Sequence, residues 1–295
     1  KCLLCGECTA VCPVGVEGDR LRIAQRSIRK YNLSPDFGNI DANTLKKRLN
    51  NFVIRENKNV LPPYNQKVLY FAGCMTALTP MISKSMTSIL EKAGVSYDFM
   101  DKEGGICCGR PMLMAGRIDQ AKSLIEKNSE IIKESEADIL LLSCPICYKI
   151  FKERYRLEGI EIMHHTEFIE RLIEEGRLSL TKDDIRYVYH DPCELGRGSG
   201  IYQQPRNVIA CAGEVVESVK HGKESICCGG SLGSLTLGFD KRKALTDNAL
   251  KNLTSNSPDE IITACPLCRS TFYRYSDRPV KDIAELVDEK TDINR

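Results

Sequence analysis

Three cysteine-bearing segments in this chain occur twice, and each second occurrence follows the first at nearly the same distance. VLYFAGC (68–74) ends in Cys74 and YVYHDPC (187–193) ends in Cys193. GGICCGRP (104–111) is answered by ESICCGGS (224–231), and ILLLSCPICYKIF (139–151) by EIITACPLCRSTF (260–272). The five matching cysteine pairs stand 119, 120, 120, 121 and 121 residues apart. An offset that steady over five pairs indicates an internal duplication, and a period of domain size means two copies of one domain rather than a solenoid. The expected division is 1–66, 67–181 and 182–295.

Each copy alternates strand-like and helix-like segments. In the first, a strand over 68–72 precedes a helix over about 79–93, and VSYDFM (95–100) precedes a helix over about 117–134. A strand over 139–143 leads into a helix opening at Pro145, then IEIMHH (160–165) and a helix over 166–176. Such alternation predicts an α/β fold: two tandem, duplicated Rossmann-like domains, each with a mainly parallel sheet covered by helices. Ligands of such sheets collect at the carboxyl ends of the strands. Cys74, Cys144, Cys193 and Cys265 are expected at those ends. Before the first copy, residues 19–31 read as an amphipathic helix, and 42–56 as a second helix in a polar connector ending at Pro62-Pro63.

The chain holds 15 cysteines among 295 residues, too many for an ordinary core and too few for a small disulfide scaffold. The odd count and the lack of an export signal argue against a disulfide framework. No apolar run approaches the roughly 18 residues of a membrane span. Net charge is +2, so no electrostatic case exists for nucleic acid as a partner. Metal or redox chemistry is left to explain the thiols.

Two arrangements follow. Cys2, Cys5, Cys8 and Cys12, followed by Pro13, form the run C-x2-C-x2-C-x3-C-P, the spacing of a bacterial ferredoxin. In the two-cluster arrangement the first three hold one [4Fe-4S] cubane and Cys12 serves another. The partner run is not found downstream, so it is expected before residue 1; a zinc knuckle is the competing reading. The second arrangement occurs twice: Cys74, Cys107, Cys108, Cys144 and Cys147, then Cys193, Cys227, Cys228, Cys265 and Cys268. Each set has one thiol more than a tetrahedral zinc requires, although structural zinc or plain buried thiols stay open as alternatives. Pro145 and Pro266 suit the first turn of a helix, whose positive end favours thiolates. Gly109 and Gly229 allow the sharp bend that aims two adjacent cysteines at one ligand.

These motifs resemble the cysteine-rich CCG domain of heterodisulfide reductases. A ferredoxin-type helical segment followed by two CCG domains is similar to the D-type single-chain catalytic component of those enzymes, and to the related B-type component. FAGC (71–74), CCGRPMLMAG (107–116), CPICYKIFK (144–152) and HDPCELGR (190–197) carry the likeness, with Glu194 departing from a commoner His. The resemblance implies that each five-cysteine set holds a noncubane [4Fe-4S] cluster and that a disulfide is cleaved between the two. Cys107, Cys108, Cys227 and Cys228 would then be the catalytic cysteines. It equally implies an alternative, an electron-transfer subunit of a flavin-dependent hydroxy-acid or glycerol-3-phosphate dehydrogenase complex that passes electrons to a quinone. No flavin or NAD fingerprint is present, and neither Gly104-Gly105 nor Gly229-Gly230 lies in a nucleotide loop. Electrons are therefore expected from a flavin-containing or cytochrome partner within a hetero-oligomeric complex, in the cytoplasm or docked to the membrane's cytoplasmic face through that partner. Cys211 is expected to be an inert buried thiol. His164, His165 and His190 are read as structural, with proton donation to a leaving thiolate the competing role for His190.

Overall fold

The computed structural model describes residues 3–10, 12, 16–29, 64–104 and 106–291. Cys2, Pro13, Gly105 and the predicted helix 42–56 lie outside these residues. Among them are twelve α-helices and two four-stranded sheets, all of whose strand pairs run parallel.

The N-terminal segment forms α1 (Glu7–Ala10) and α2 (Gly18–Arg29). The first copy then runs β1 (Val68–Phe71), α3 (Pro80–Lys92), β2 (Tyr97–Phe99), α4 (Arg110–Ala115) and α5 (Ile118–Glu134). It ends with β3 (Ile139–Leu142), α6 (Pro145–Arg154), β4 (Glu161–His164) and α7 (His165–Glu174). The second copy runs β5 (Arg186–Tyr189), α8 (Gly196–Ser199), α9 (Gln203–Ala212), β6 (Glu214–Val216) and α10 (Phe239–Leu253). It ends with β7 (Glu260–Thr263), α11 (Pro266–Tyr275), β8 (Val280–Asp282) and α12 (Ile283–Lys290).

The sheets have the same order, β2-β1-β3-β4 and β6-β5-β7-β8. VLYF and ILLL are buried at every position because helices cover both faces of a parallel sheet. In each sheet the chain leaves the first strand toward one edge and returns to pair on its other side, opening a crevice beyond the adjacent ends of β1 and β3, or of β5 and β7. That topology places Cys74 and Cys144 in one crevice, and Cys193 and Cys265 in the other. The edge strand β2 is shorter than the predicted 95–100, because the chain turns through Gly94 with positive φ before it. Helix α7 starts one residue early, since His164 is its N-cap: the imidazole Nδ1 accepts from Thr166 N at 3.4 Å and Glu167 reaches back to His164 N.

The copies meet across a pseudo-two-fold axis. Helix α3 packs on α12 and α7 packs on α9; because α3 corresponds to α9 and α7 to α12, the two contacts are one contact made twice. The polar bonds repeat as well. Ser88 donates to Asp288 at 2.6 Å and Asn207 donates to Glu170 at 2.6 Å, and Ser88 precedes Asn207 by 119 residues while Glu170 precedes Asp288 by 118. Near the axis the fully buried His165 Nε2 lies 3.3 Å from Asp282 Oδ1, and the rings of His164 and His165 stack at 4.3 Å.

Candidate metal centres

The first cysteine set is assembled from the loops after β1, β2 and β3. Cys74 opens a 3₁₀ turn, Cys107 and Cys108 precede α4, Cys144 is the N-cap of α6 and Cys147 lies in its first turn. Cys107, Cys108, Cys144 and Cys147 are buried, and Cys74 is partly exposed. The thiols lie close enough to shift one another's ionisation in sequence, Cys74 with Cys107, Cys107 with Cys108, Cys108 with Cys147 and Cys147 with Cys144. S–H donation from Cys108 and Cys74 holds the Cys107 thiol well below its ordinary value, against the opposing effect of burial. The same contacts, seen from the other side, push Cys74 and Cys108 up. Cys144 is lowered by the Cys147 thiol and by the N–H groups of Cys147 and Ile146 at the start of α6. The helix therefore favours a thiolate where the Cys-Pro-x-x-Cys spacing predicts one.

The second set repeats this arrangement. Cys227, Cys228, Cys265 and Cys268 are buried and Cys193 is partly exposed. Cys268 Sγ donates to Cys228 Sγ at 3.2 Å. Hydrogen bonds from Cys227 and Cys268 lower Cys228, whereas Cys193 and Cys268 are pushed up. The predicted bend at Cys-Cys-Gly occurs in both copies: Gly109 and Gly229 have φ of 86° and 80°. Their backbones are braced by Asn128 and Tyr155, which donate to Cys107 O and Cys108 O at 2.9 and 3.0 Å, and by Thr246, which donates to Cys228 O at 2.9 Å.

The donor set fits a multi-iron cluster. Five soft thiols converge in each crevice, four of them buried, and soft ligands select iron–sulfur clusters or zinc. Residue 73 must be glycine for the crevice to stay open, since a Cβ there would stand 3.1 Å from both Cys144 Cβ and Cys147 Sγ.

The two sets face one another through charged side chains. Arg110, two residues beyond Cys108, donates to Glu194, next to Cys193 of the other copy, at 3.3 Å. Lys149 stands 3.4 Å from the same carboxylate and Glu153 stands 3.9 Å from Arg110. Burial pushes Arg110 down, but Glu194 and Glu153 outweigh it and its pKa is raised. The Glu194 carboxylate thus lies between two cations, Arg110 and Lys149.

The N-terminal run reaches the second set. Arg197 donates to Cys5 O at 3.1 Å and Ser231 to Leu3 O at 3.3 Å. The Cys5 thiol hydrogen-bonds Cys227, the first cause of its raised pKa. Cys8 is exposed, and Cys12 Sγ accepts from Val16 N at 3.3 Å. Spacing alone sets this run apart from the repeated sets; the fold brings Cys5 against one of them. Cys211 belongs to neither set. It is partly exposed on α9, not buried as expected, and donates to Asn207 O.

Sequence reasoning treats His190 as structural, yet the structure sets it against the second set. It is buried, its Nε2 has no partner, and a ring nitrogen, Cys228 Sγ and Cys268 Sγ all lie within 4.8 Å of one another. Burial lowers its pKa to about 4, so the ring is neutral near pH 7.

The family model of the cysteine-rich CCG domain matches residues 68–152 and 187–273. Among curated proteins, the chain is 31% identical to the EtfAB:quinone oxidoreductase of Syntrophomonas wolfei over 73% of its own length and 32% of that protein's. It is 28% identical to the D component of the dihydromethanophenazine:CoB–CoM heterodisulfide reductase of Methanosarcina barkeri, over 98% of this chain and 76% of that one. It is also 27% identical to the B component of the fumarate reductase (CoM/CoB) of Methanothermobacter marburgensis, over 91% and 55%. The chain thus spans about a third of the first relative and about half of the third. Among the described residues no helix is long and apolar enough to cross a membrane.

Proposed function

Because the chain belongs to the cysteine-rich CCG domain family of iron–sulfur oxidoreductases, we propose that it reduces a disulfide to two thiols, or runs the reverse, at a pair of noncubane [4Fe-4S] clusters. Cys74, Cys107, Cys108, Cys144 and Cys147 would hold one cluster, within residues 67–181. Cys193, Cys227, Cys228, Cys265 and Cys268 would hold the other, within 182–295. What supports the reading is that each copy carries a complete five-thiol set and that the segments bearing the two sets meet at the Arg110–Glu194 contact. A disulfide presents two adjacent sulfur atoms, and a paired site offers one centre to each. When bound, the clusters supply electrons one at a time and an iron able to take a sulfur ligand. The chain's own part is to hold the thiolates in place, to exclude water from four buried cysteines per set, and to present Arg110, Lys149 and Glu194 beside the gap.

Cys2, Cys5 and Cys8 would bind a cubane that delivers electrons, with Cys12 serving a second. The Cys5–Cys227 contact supports delivery to the second set first. Donors would be other subunits of a hetero-oligomeric complex, flavin- or cytochrome-containing. The likeness to EtfAB:quinone oxidoreductase favours a second reading, in which the chain relays electrons from a flavoprotein to a quinone without a substrate of its own.

The test is turnover of a panel of disulfides by the anaerobically reconstituted protein with a reduced viologen as donor. Cys107→Ser and Cys227→Ser are expected to abolish turnover while most iron is retained, because four thiols still hold an ordinary cubane. A parent protein that accepts electrons, turns over no disulfide and shows no EPR change with added thiol is a relay, and the reductase reading is then wrong.

A further inference from the structure

The duplication supplies an internal control for every residue near the clusters. Offset by 119, His190 of the second copy occupies the position of Phe71 in the first. The surroundings are conserved along with the position. Phe71 packs edge-to-face on Phe151 at 5.5 Å and 71°, and His190 packs edge-to-face on Phe272 at 4.7 Å and 85°; Phe151 and Phe272 are themselves 121 residues apart. A phenyl ring therefore satisfies the fold at this place. An imidazole there buries a polar nitrogen, which is costly unless it finds a partner. Among the described residues Nε2 has none, and a ring nitrogen lies within 4.8 Å of both Cys228 Sγ and Cys268 Sγ.

We propose that His190 donates its Nε2–H to sulfur at the second cysteine set, which makes the two otherwise matching centres chemically unequal. The assignment rests on the reading that this set holds a cluster. Iron ligation is not what the position calls for, because the second set already carries the same five thiols as the first, where a phenyl ring stands instead. A donor to ligand or cluster sulfur stabilises the more reduced, more negative state and raises the reduction potential. The second centre then takes an electron before the first, on the side where Cys5 approaches. His190 acts here as a positioning and tuning group for the cluster.

The experiment uses the reconstituted full chain labelled with ¹⁵N-histidine, pulsed-EPR hyperfine spectroscopy, and a redox titration. The parent is expected to show a weak histidine nitrogen coupling on one of two CCG centres. His190→Phe, which copies the first centre, should lose the coupling and lower the potential of that centre without loss of iron. His190→Gln, which keeps an N–H donor, should lose the labelled coupling but hold the potential near the parent value. Phe71→His should give the first centre a coupling of its own. Two CCG centres in the parent with no histidine coupling, or the same potential in His190→Phe as in the parent, overturn the assignment alone. So does a strong coupling of a bound nitrogen with iron lost on substitution, which would make His190 a ligand. A parent with no iron at the second set overturns the cluster reading and this assignment together.

Discussion

Asp282→Ala tests the seam between the two copies. The carboxylate has two tasks, and both use Oδ1: it caps α12, accepting from Ala284 N at 3.0 Å in a capping box with Glu285, and it meets His165 Nε2 of the other copy at 3.3 Å. Removing the cap costs about 1 kcal/mol. Removing the carboxylate that lies 3.3 Å from the fully buried His165 Nε2, an approach without hydrogen-bond geometry, adds up to about 1 kcal/mol. The expected loss is then about 1–2 kcal/mol, a fall in Tm of roughly 2–8 °C for a chain of this size. Asp282→Asn keeps a cap acceptor of the same shape and gives up only the charge, so its loss should be well under about 1 kcal/mol. The assay is urea unfolding of the anaerobic protein followed by far-UV circular dichroism, with the parent and His165→Ala alongside. Because the two residues share one contact, the double variant should lose less than the sum of the singles. Strict additivity, or an Asp282→Asn variant as unstable as Asp282→Ala, would refute the claim that this pair bridges the copies.

Three further outcomes follow from local chemistry. His164 is fully buried and its pKa is pushed well below 6.5, chiefly by burial and then by the neighbouring His165. The unfolded chain therefore binds a proton that the folded chain refuses as pH falls below about 6.5, and stability drops by up to about 1.4 kcal/mol per pH unit from this group; His164→Asn, which can still cap α7, should flatten that acid limb in urea midpoints taken from pH 7 to 5. Gly116→Ala should loosen the N-terminal segment, since residue 116 has φ of 82° and an added Cβ would stand 2.4 Å from Arg26 C and Ser27 N of α2; limited proteolysis within α2 should quicken several-fold. Cys211→Ser should change neither iron and sulfide content nor EPR spectra, because this thiol faces Asn207 O and neither set.

Much of this was legible in the chain itself. The steady offset of the cysteines marks the duplication, the fully apolar VLYF and ILLL mark strands of a doubly covered parallel sheet, and Pro145 and Pro266 mark the helix starts. These signals are local, set by two or three turns of chain. What was not legible depends on which distant residues meet. His165 and Asp282 are 117 positions apart, and only the packing of α7 and α12 near the axis joins them. His190 looks like a strand-end histidine until its counterpart, Phe71, shows that an apolar ring suffices there. Glu194 carries no signal in the chain, and its role shows only when Arg110 and Lys149 are found around it. The ferredoxin-like run carries its cysteine spacing in sequence but not its docking place, which is fixed by Arg197 and Ser231 of the second copy.

The central claim is that each five-cysteine set holds its own iron–sulfur cluster and that the two face across the pseudo-two-fold axis. Anomalous scattering at the iron edge, from crystals of the protein reconstituted and frozen without oxygen, tests it most directly. The expected map has one group of iron peaks among Cys74, Cys107, Cys108, Cys144 and Cys147. A second group, related to the first by the pseudo-two-fold, lies among Cys193, Cys227, Cys228, Cys265 and Cys268. A single four-coordinate peak at each set that responds at the zinc edge, or a set whose thiols carry no metal at all, would contradict the claim.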